Sequence, residues 1–422
     1  MRRDIHAWAT LLAGVVMLAP VATRAVAPAA KLTIDANRII RLNGAPIFPV
    51  GFTGAPAADS RTPSGSSAYA ELQTNGFVFQ RFGPPPRKWD AEAEAALDRA
   101  LDASAAAGMF VAITIPDLQA IGPEDSSAER ELRRVVEKYR HHPALAFWKA
   151  EDEPAWGHVP VSKVQRYYDI VHALDPDHPV WLTQAPRGTV QELREYNPAY
   201  DVAAIDIYPI GYPPGAHSLL PNKNISMVGD YAQQLQQVTG RKKPFWMVLQ
   251  ICWSGVARPD RTLRFPTFPE ERYMSYQSII DGARGLVYFG GNVAACLNDR
   301  DRALGWNWTF YDKVLKPVLD ELNPKGALYP ALVAPDSTLP LTLDGAADVE
   351  YCVREAGDDV YVLAAKREGT TVQVTFRGLP AGIESGTVLF EEPRKVSVTA
   401  GAFTDWFGPN EVHVYRFART RT

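Results

Sequence analysis

The strongest constraint on this chain is an eightfold alternation. From about residue 45 to 325, short apolar runs take turns with stretches that repeat at helical spacing. The runs are IFPVGFTG (47–54), GFVFQRFG (76–83), GMFVAITIP (108–116), PALAFWKAEDEP (143–154), PVWLTQAP (179–186), DVAAIDIYPI (201–210), PFWMVLQICW (244–253) and GARGLVYFGG (282–291). Each is of strand length and rich in β-branched or aromatic residues. Continuous apolar runs suit parallel strands covered on the outside by helices. Between them, 90–107, 127–140, 162–174, 227–238 and 270–281 carry apolar residues on one helical face, with Asp90 as the expected N-cap of the first. Gly76, Gly108, Gly240 and Gly282 each follow such a stretch, where glycine takes the left-handed conformation that ends a helix. An open doubly wound sheet would carry a glycine-rich phosphate turn after its first strand, and none is present. The expected fold is therefore α/β, a closed (β/α)8 TIM barrel.

The ends of the chain read differently. Arg2 and Arg3, an apolar stretch from Ala7 to Leu18, Pro20 and a run of small residues from Ala25 to Ala30 form an export-signal pattern, shorter than the roughly 20 residues a membrane span needs. Residues 1–30 are expected to be a cleaved signal peptide and the protein to be secreted or periplasmic. After Pro330 the texture becomes DVEYCVREA, DVYVLAAKRE, TVQVTFRGL, GTVLFEEP, RKVSVTAG and EVHVYRFA, alternating apolar and polar residues between turns. That predicts an antiparallel β-sandwich over 329–422, behind a proline-rich linker at 329–340, with the barrel over 31–328.

Composition narrows the chemistry. Lys and Arg total 44 against 48 Asp and Glu, so no basic excess points to nucleic acid. Cys252, Cys296 and Cys352 are too few for a disulfide scaffold. No paired-histidine metal motif, GxSxG elbow, P-loop or dinucleotide fingerprint occurs, so neither a metal nor a cofactor is expected.

Barrel enzymes place their chemistry at the C-terminal ends of the strands. Those ends carry Arg81 on the second strand, Glu151, Asp152 and Glu153 on the fourth, Asp206 and Tyr208 on the sixth, and Gln250 and Trp253 on the seventh. Three adjacent carboxylates repel one another, which favours keeping one protonated near neutral pH, as a general acid must be. Strand alternation would send Glu151 and Glu153 to one face and Asp152 to the other. Trp253 and Trp306 lie beyond strand ends, where flat rings could stack on a sugar.

PALAFWKAEDEP resembles the fourth-strand motif of glycoside hydrolase clan A: an aromatic, a spacer, then Asn-Glu, often followed by Pro. ERYMSYQSIIDGARGLVYFGG (271–291) resembles that clan's approach to the eighth strand, and the tail ending FTDWFGPNEVHVYRF resembles its appended sandwich. The resemblance implies hydrolysis of glycosidic bonds in a polysaccharide or oligosaccharide, with Glu153 as acid/base and Asp152 at the Asn position. It departs from the clan on strand seven, where Gln250 stands in place of the nucleophilic Glu. A neutral amide cannot form a glycosyl ester. Three ways remain open. Asp206 or Glu151 serves as the second carboxylate; the substrate assists; or the barrel binds glycan without cutting it. Arg81, Asp152, Tyr208, Gln250, Trp253 and Trp306 are the expected substrate contacts.

Overall fold

The computed structural model describes residues 29–83, 88–216, 218–251, 264–290 and 298–419. Three short antiparallel strands come first: β1 (Leu32–Ile34), β2 (Ile40–Leu42) and β3 (Ala45–Ile47). Eight strands then close a barrel: β4 (Val50–Thr53), β5 (Phe79–Phe82), β6 (Phe110–Thr114), β7 (Leu145–Asp152), β8 (Val180–Gln184), β9 (Val202–Ile207), β10 (Phe245–Gln250) and β11 (Leu286–Phe289). Every neighbouring pair is parallel, and β11 closes onto β4. This is the TIM barrel that the alternation predicts.

Local chemistry sets the helix ends. Asp90 accepts a hydrogen bond from the Ala93 N–H at 3.0 Å and starts the helix Ala91–Ala107, and Gly108 stops it at φ 72°. No helix among the described residues is long and apolar enough to cross a membrane.

The lower barrel is filled by rings. Phe79 packs against Phe147, Trp181 and Trp246 with centroids 5.1, 6.0 and 5.3 Å away. Gly51 makes room for them, since a Cβ there would lie 2.4 Å from the Phe79 ring. The β1–β3 sheet shares this cluster through Ala30, Leu32 and Ile40, and the Leu32 N–H bonds the Asp177 carbonyl at 2.9 Å. It therefore caps the N-terminal end of the barrel and leaves the opposite end for chemistry.

Eight further strands form two packed antiparallel sheets: β12 (Thr342–Asp344), β13 (Val349–Ala356), β14 (Asp359–Lys366), β15 (Val372–Arg377), β16 (Ser385–Leu389), β17 (Lys395–Ser397), β18 (Ala402–Phe407) and β19 (Val412–Ala418). One sheet is ordered β12-β15-β18 and the other β13-β14-β19-β16-β17. The sandwich follows the predicted texture with one difference: β14 is buried on both faces. Val360, Val362 and Ala364 point into the sandwich core, and Tyr361, Leu363 and Ala365 join the barrel core. The outer sheet face lies on the barrel helix Phe268–Ile280.

Charged groups line the seam. Asp336 sits 2.6 Å from Arg38, 2.9 Å from Arg284 and 2.7 Å from Arg354. The segment read as a linker is thus pinned: it opens as the helix Tyr329–Leu332 and contributes Asp336 to this cluster. Farther along, Arg367 bridges Asp230 at 2.7 Å and Glu350 at 2.8 Å, and the Gln277 amide donates to Glu350 at 2.7 Å.

Candidate active site

At the C-terminal mouth of the barrel lies a cavity of about 210 Å3, lined by Thr53, Arg81, Asp152, Glu153, Trp181, Thr183, Asp206, Tyr208, Val248 and Phe289. Seven of the eight strands, or the residues just past their ends, contribute. Of the residues expected from sequence, Arg81, Asp152, Glu153, Asp206 and Tyr208 meet here.

The end of β7 is irregular, and this decides which carboxylates meet. Its pairing with β8 slips between Lys149 and Asp152, so three steps on β7 oppose two on β8. Glu153 follows at φ 52°, in the left-handed region that a non-glycine residue occupies at a cost of roughly 1–3 kcal/mol. Its N–H bonds the Thr183 carbonyl at 2.8 Å. Beneath it the Gln119 amide donates to the carbonyls of Lys149 and Ala150 at 2.6 and 2.8 Å, and the Tyr167 hydroxyl reaches Lys149 O at 3.2 Å. The expected alternation therefore fails. Asp152 and Glu153 both line the cavity, whereas Glu151 lines a neighbouring one of about 290 Å3 with Thr114, Asp117 and Gln119.

The three cavity carboxyls differ in charge environment. Asp152 lies 3.0 Å from the ammonium of Lys149 and 3.5 Å from Arg81. Lys149 is fully buried, and its ammonium sits 5.4 Å from the Trp181 ring. Burial pulls its pKa down while the Asp152 charge opposes that shift. Glu153 and Asp206 face each other within hydrogen-bonding reach. Burial pushes the Glu153 carboxyl above the usual carboxylate range, and the Asp152 charge adds to the rise. Burial first, then the Glu153 charge, raises Asp206 further. Burial and the proximity of the two carboxyls favour keeping one proton on the pair. The more buried Asp206 retains that proton more strongly. Tyr208 stacks on Phe289 at 5.4 Å, and burial raises its hydroxyl pKa well above the ordinary value.

Four buried polar atoms of this lining have no hydrogen-bond partner among the described residues: Thr53 Oγ1, Trp181 Nε1, Thr183 Oγ1 and Asp206 Oδ1. Buried polar atoms are nearly always paired, so four orphans around one cavity describe a surface shaped for a polar guest. Sequence reading missed Thr53, Trp181 and Thr183. Trp181 and Thr183 lie two apart on β8 and so share its inward face, a signal the strand pattern already held.

Two expected contacts fall elsewhere. Gln250 has no exposed surface; its Oε1 accepts from the Ile210 N–H at 2.9 Å and its Nε2 donates to the Ile210 carbonyl at 2.8 Å. Both ends of the amide are spent on backbone, and β10 offers Val248 to the cavity. Trp306 is buried with Phe52, Trp308 and Tyr311, and its indole N–H bonds the Gly54 carbonyl at 2.8 Å. Residue type suggested a sugar platform, but side-chain direction made it core. Trp253, Cys252 and Cys296 lie outside the described residues.

The sequence matches no protein-family model and no curated protein. Solved structures do match. A family 5 glycoside hydrolase from Bacteroides vulgatus aligns with TM-score 0.63 at 12% identity, covering 92% of this chain and 93% of that one. The chain has the fold of glycoside hydrolases. An α-amylase from Geobacillus thermoleovorans, complexed with acarbose, aligns with TM-score 0.56 at 11% identity, covering 89% and 98%. A GH30 endoxylanase from Clostridium papyrosolvens aligns with TM-score 0.52 at 11% identity, covering 88% and 96%. The glycoside hydrolase fold thus spans barrel and sandwich alike, at identities where fold alone is shared.

Proposed function

We propose that this protein is an exported glycoside hydrolase acting on a polysaccharide or oligosaccharide, with Glu153 as general acid. The observation that carries the reading is the proton-sharing Glu153–Asp206 pair, set among unpaired polar atoms at the mouth of a barrel of glycoside hydrolase fold. Export rests on the N-terminal pattern of residues 1–30.

The chemistry follows from the charges. In the reacting form the pair's proton sits on Glu153, the more exposed of the two, which gives it to the glycosidic oxygen and leaves both carboxyls ionised. The C–O bond breaks, the leaving sugar departs as an alcohol, and positive charge develops at the anomeric carbon. Asp152, paired with Lys149 and Arg81, supplies negative charge in the same cavity. Water adds to the anomeric carbon and returns a proton to the carboxyl pair. Asp206 is buried and interacts with Glu153. Asp206 therefore acts through Glu153 rather than on the sugar. Tyr208 and Arg81 would bind sugar hydroxyls at the cavity wall.

One observation favours a rival reading, a barrel that holds glycan without cutting it: β10 contributes Val248, not a carboxylate, to the cavity. Sugar release from a panel of polysaccharides and aryl glycosides, compared with Glu153→Gln, separates the two. Activity that vanishes in the variant supports the hydrolase. Silence from both, with glycan binding retained, supports the binder.

A further inference from the structure

Beside the mouth lies a larger cavity, of about 630 Å3, walled by the loops that follow β7 and β8. Trp156, three residues after Glu153, lines it and is 56% exposed. The guanidinium of Arg187 lies over that ring, 5.6 Å from its centroid. Among the described residues Arg187 has no carboxylate at ion-pair distance and no side-chain hydrogen bond, although Glu192 and Glu195 line the same cavity. Glu192 instead turns its carboxylate to the Thr189 N–H and hydroxyl at 2.7 and 2.9 Å. A half-buried guanidinium left without a counter-charge is prepared for one that arrives with a ligand, and its planar fork fits a carboxylate.

The walls are set in advance. The Tyr231 hydroxyl bonds the Pro186 carbonyl at 2.7 Å, next to Arg187. The Ala155 N–H bonds Gln184 Oε1 at 3.3 Å, and the Tyr196 hydroxyl bonds the Val159 carbonyl at 2.6 Å. These ties join the two loops and fix both walls, so little ordering remains to be done when a ligand binds. The Arg187 charge also reaches the mouth, where it acts on the Glu153 carboxyl and pulls against the burial that raises it.

We propose that this cavity is a subsite for a uronate unit of the glycan, with Arg187 pairing to the sugar carboxylate and Trp156 stacking on the ring. An aromatic face suits the apolar side of a pyranose, and the guanidinium beside it sets the charge preference. The proposal rests on the reading of the barrel mouth as a glycan site and adds the class of sugar placed next to the scissile bond.

Calorimetric titration of the full chain carrying Glu153→Gln tests binding without turnover. The probes are oligogalacturonate, oligomannuronate and glucuronoxylan oligosaccharides, each beside its methyl ester, together with a sulfated galactan oligosaccharide. At least one acid should bind about tenfold or more tightly than its ester, the range of a charge-assisted hydrogen-bonded pair. Adding Arg187→Gln should erase that preference and leave the ester's affinity in place. Arg187→Lys should retain part of it. Trp156→Ala should weaken acid and ester alike. Equal affinity for every acid and its ester, a preference that survives Arg187→Gln, or preference for the sulfated probe would each overturn the proposal. Sugar release by the unsubstituted chain is scored separately. Acid-selective binding by a protein that cuts nothing would retire the hydrolase reading and keep the subsite. Cleavage of neutral glycans without any acid preference would do the reverse.

Discussion

Acidic groups gather in two regions, the barrel mouth and the seam between barrel and sandwich, and the two treat them in opposite ways. At the seam Asp336 is surrounded by Arg38, Arg284 and Arg354 within 2.9 Å. Burial alone would raise its pKa, but the three guanidinium groups hold it below the ordinary value. At the mouth Glu153 and Asp206 face each other, burial raises both, and the Glu153 charge opposes ionisation of Asp206. Asp281 shows that the seam also contains an intermediate case. Burial and the Glu350 charge push it up to about 8, while Gln233 and Arg367 pull it back. Burial by itself therefore says little about role. What separates a structural carboxylate from one prepared to move a proton is whether fixed counter-charge accompanies it.

The largest effect should come from the mouth. Glu153→Gln should lower kcat by roughly 10²–10⁴-fold with the fold intact, read as sugar release beside a thermal melt. Undiminished turnover would remove Glu153 from the chemistry and with it the contrast between the regions.

Asp206→Asn should cost less, about 10-fold in kcat, and should also move the basic limb of the rate profile to lower pH. The active form keeps one proton on the pair. Both folded pKa values are raised, so activity falls as pH rises through the upper one. An amide at 206 adds no charge to oppose Glu153 ionisation, so Glu153 loses its proton earlier. A limb that stays in place would show that Asp206 does not share the proton.

At the seam the expected losses are in stability. Asp336→Asn leaves Arg284 and Arg354 buried without their counter-charge, and should destabilise by about 2 kcal/mol in urea unfolding. That is less than a fully buried pair would lose, because the Asp336 side chain is 49% exposed. Since its folded pKa is lowered, the stabilisation it gives is present above the unfolded value of about 3.9 and lost as pH falls through the folded one. A variant as stable as the parent at pH 7 would contradict this.

Asp281 carries the opposite sign. Its folded pKa is raised to about 8, so its contribution is fully present below pH about 4 and is lost as pH climbs toward 8. Asp281→Asn should flatten the pH dependence of the melting temperature between pH 5 and 9. Parallel profiles for parent and variant would place Asp281 outside this linkage.

Much of the fold was legible because it depends on local periodicity. The eight apolar runs became the eight barrel strands, Asp90 became an N-cap, and Gly76, Gly108, Gly240 and Gly282 all adopt positive φ. Strand-end position also brought Arg81, Asp152, Glu153, Asp206 and Tyr208 to one cavity. Other features were not local. The β1–β3 cap and the two-sided burial of β14 depend on what packs against them. Gln250 and Trp306 have the right chemistry for a sugar site, but their neighbours turned them to the Ile210 backbone and the Gly54 carbonyl.

By itself the sequence determined the alternation of strands and helices, the change to sandwich texture and the supply of carboxylates at the fourth and sixth strand ends. Each of these is written in spacing along one chain segment. Only the tertiary structure decided which carboxylates meet. A slip in the β7–β8 pairing and a left-handed Glu153 placed Asp152 and Glu153 together and sent Glu151 to the next cavity. Barrel closure then brought Asp206 against Glu153. Their raised pKa values are a property of that contact, because a carboxyl's affinity for a proton is set by the charges and the dielectric around it and not by its place in the chain.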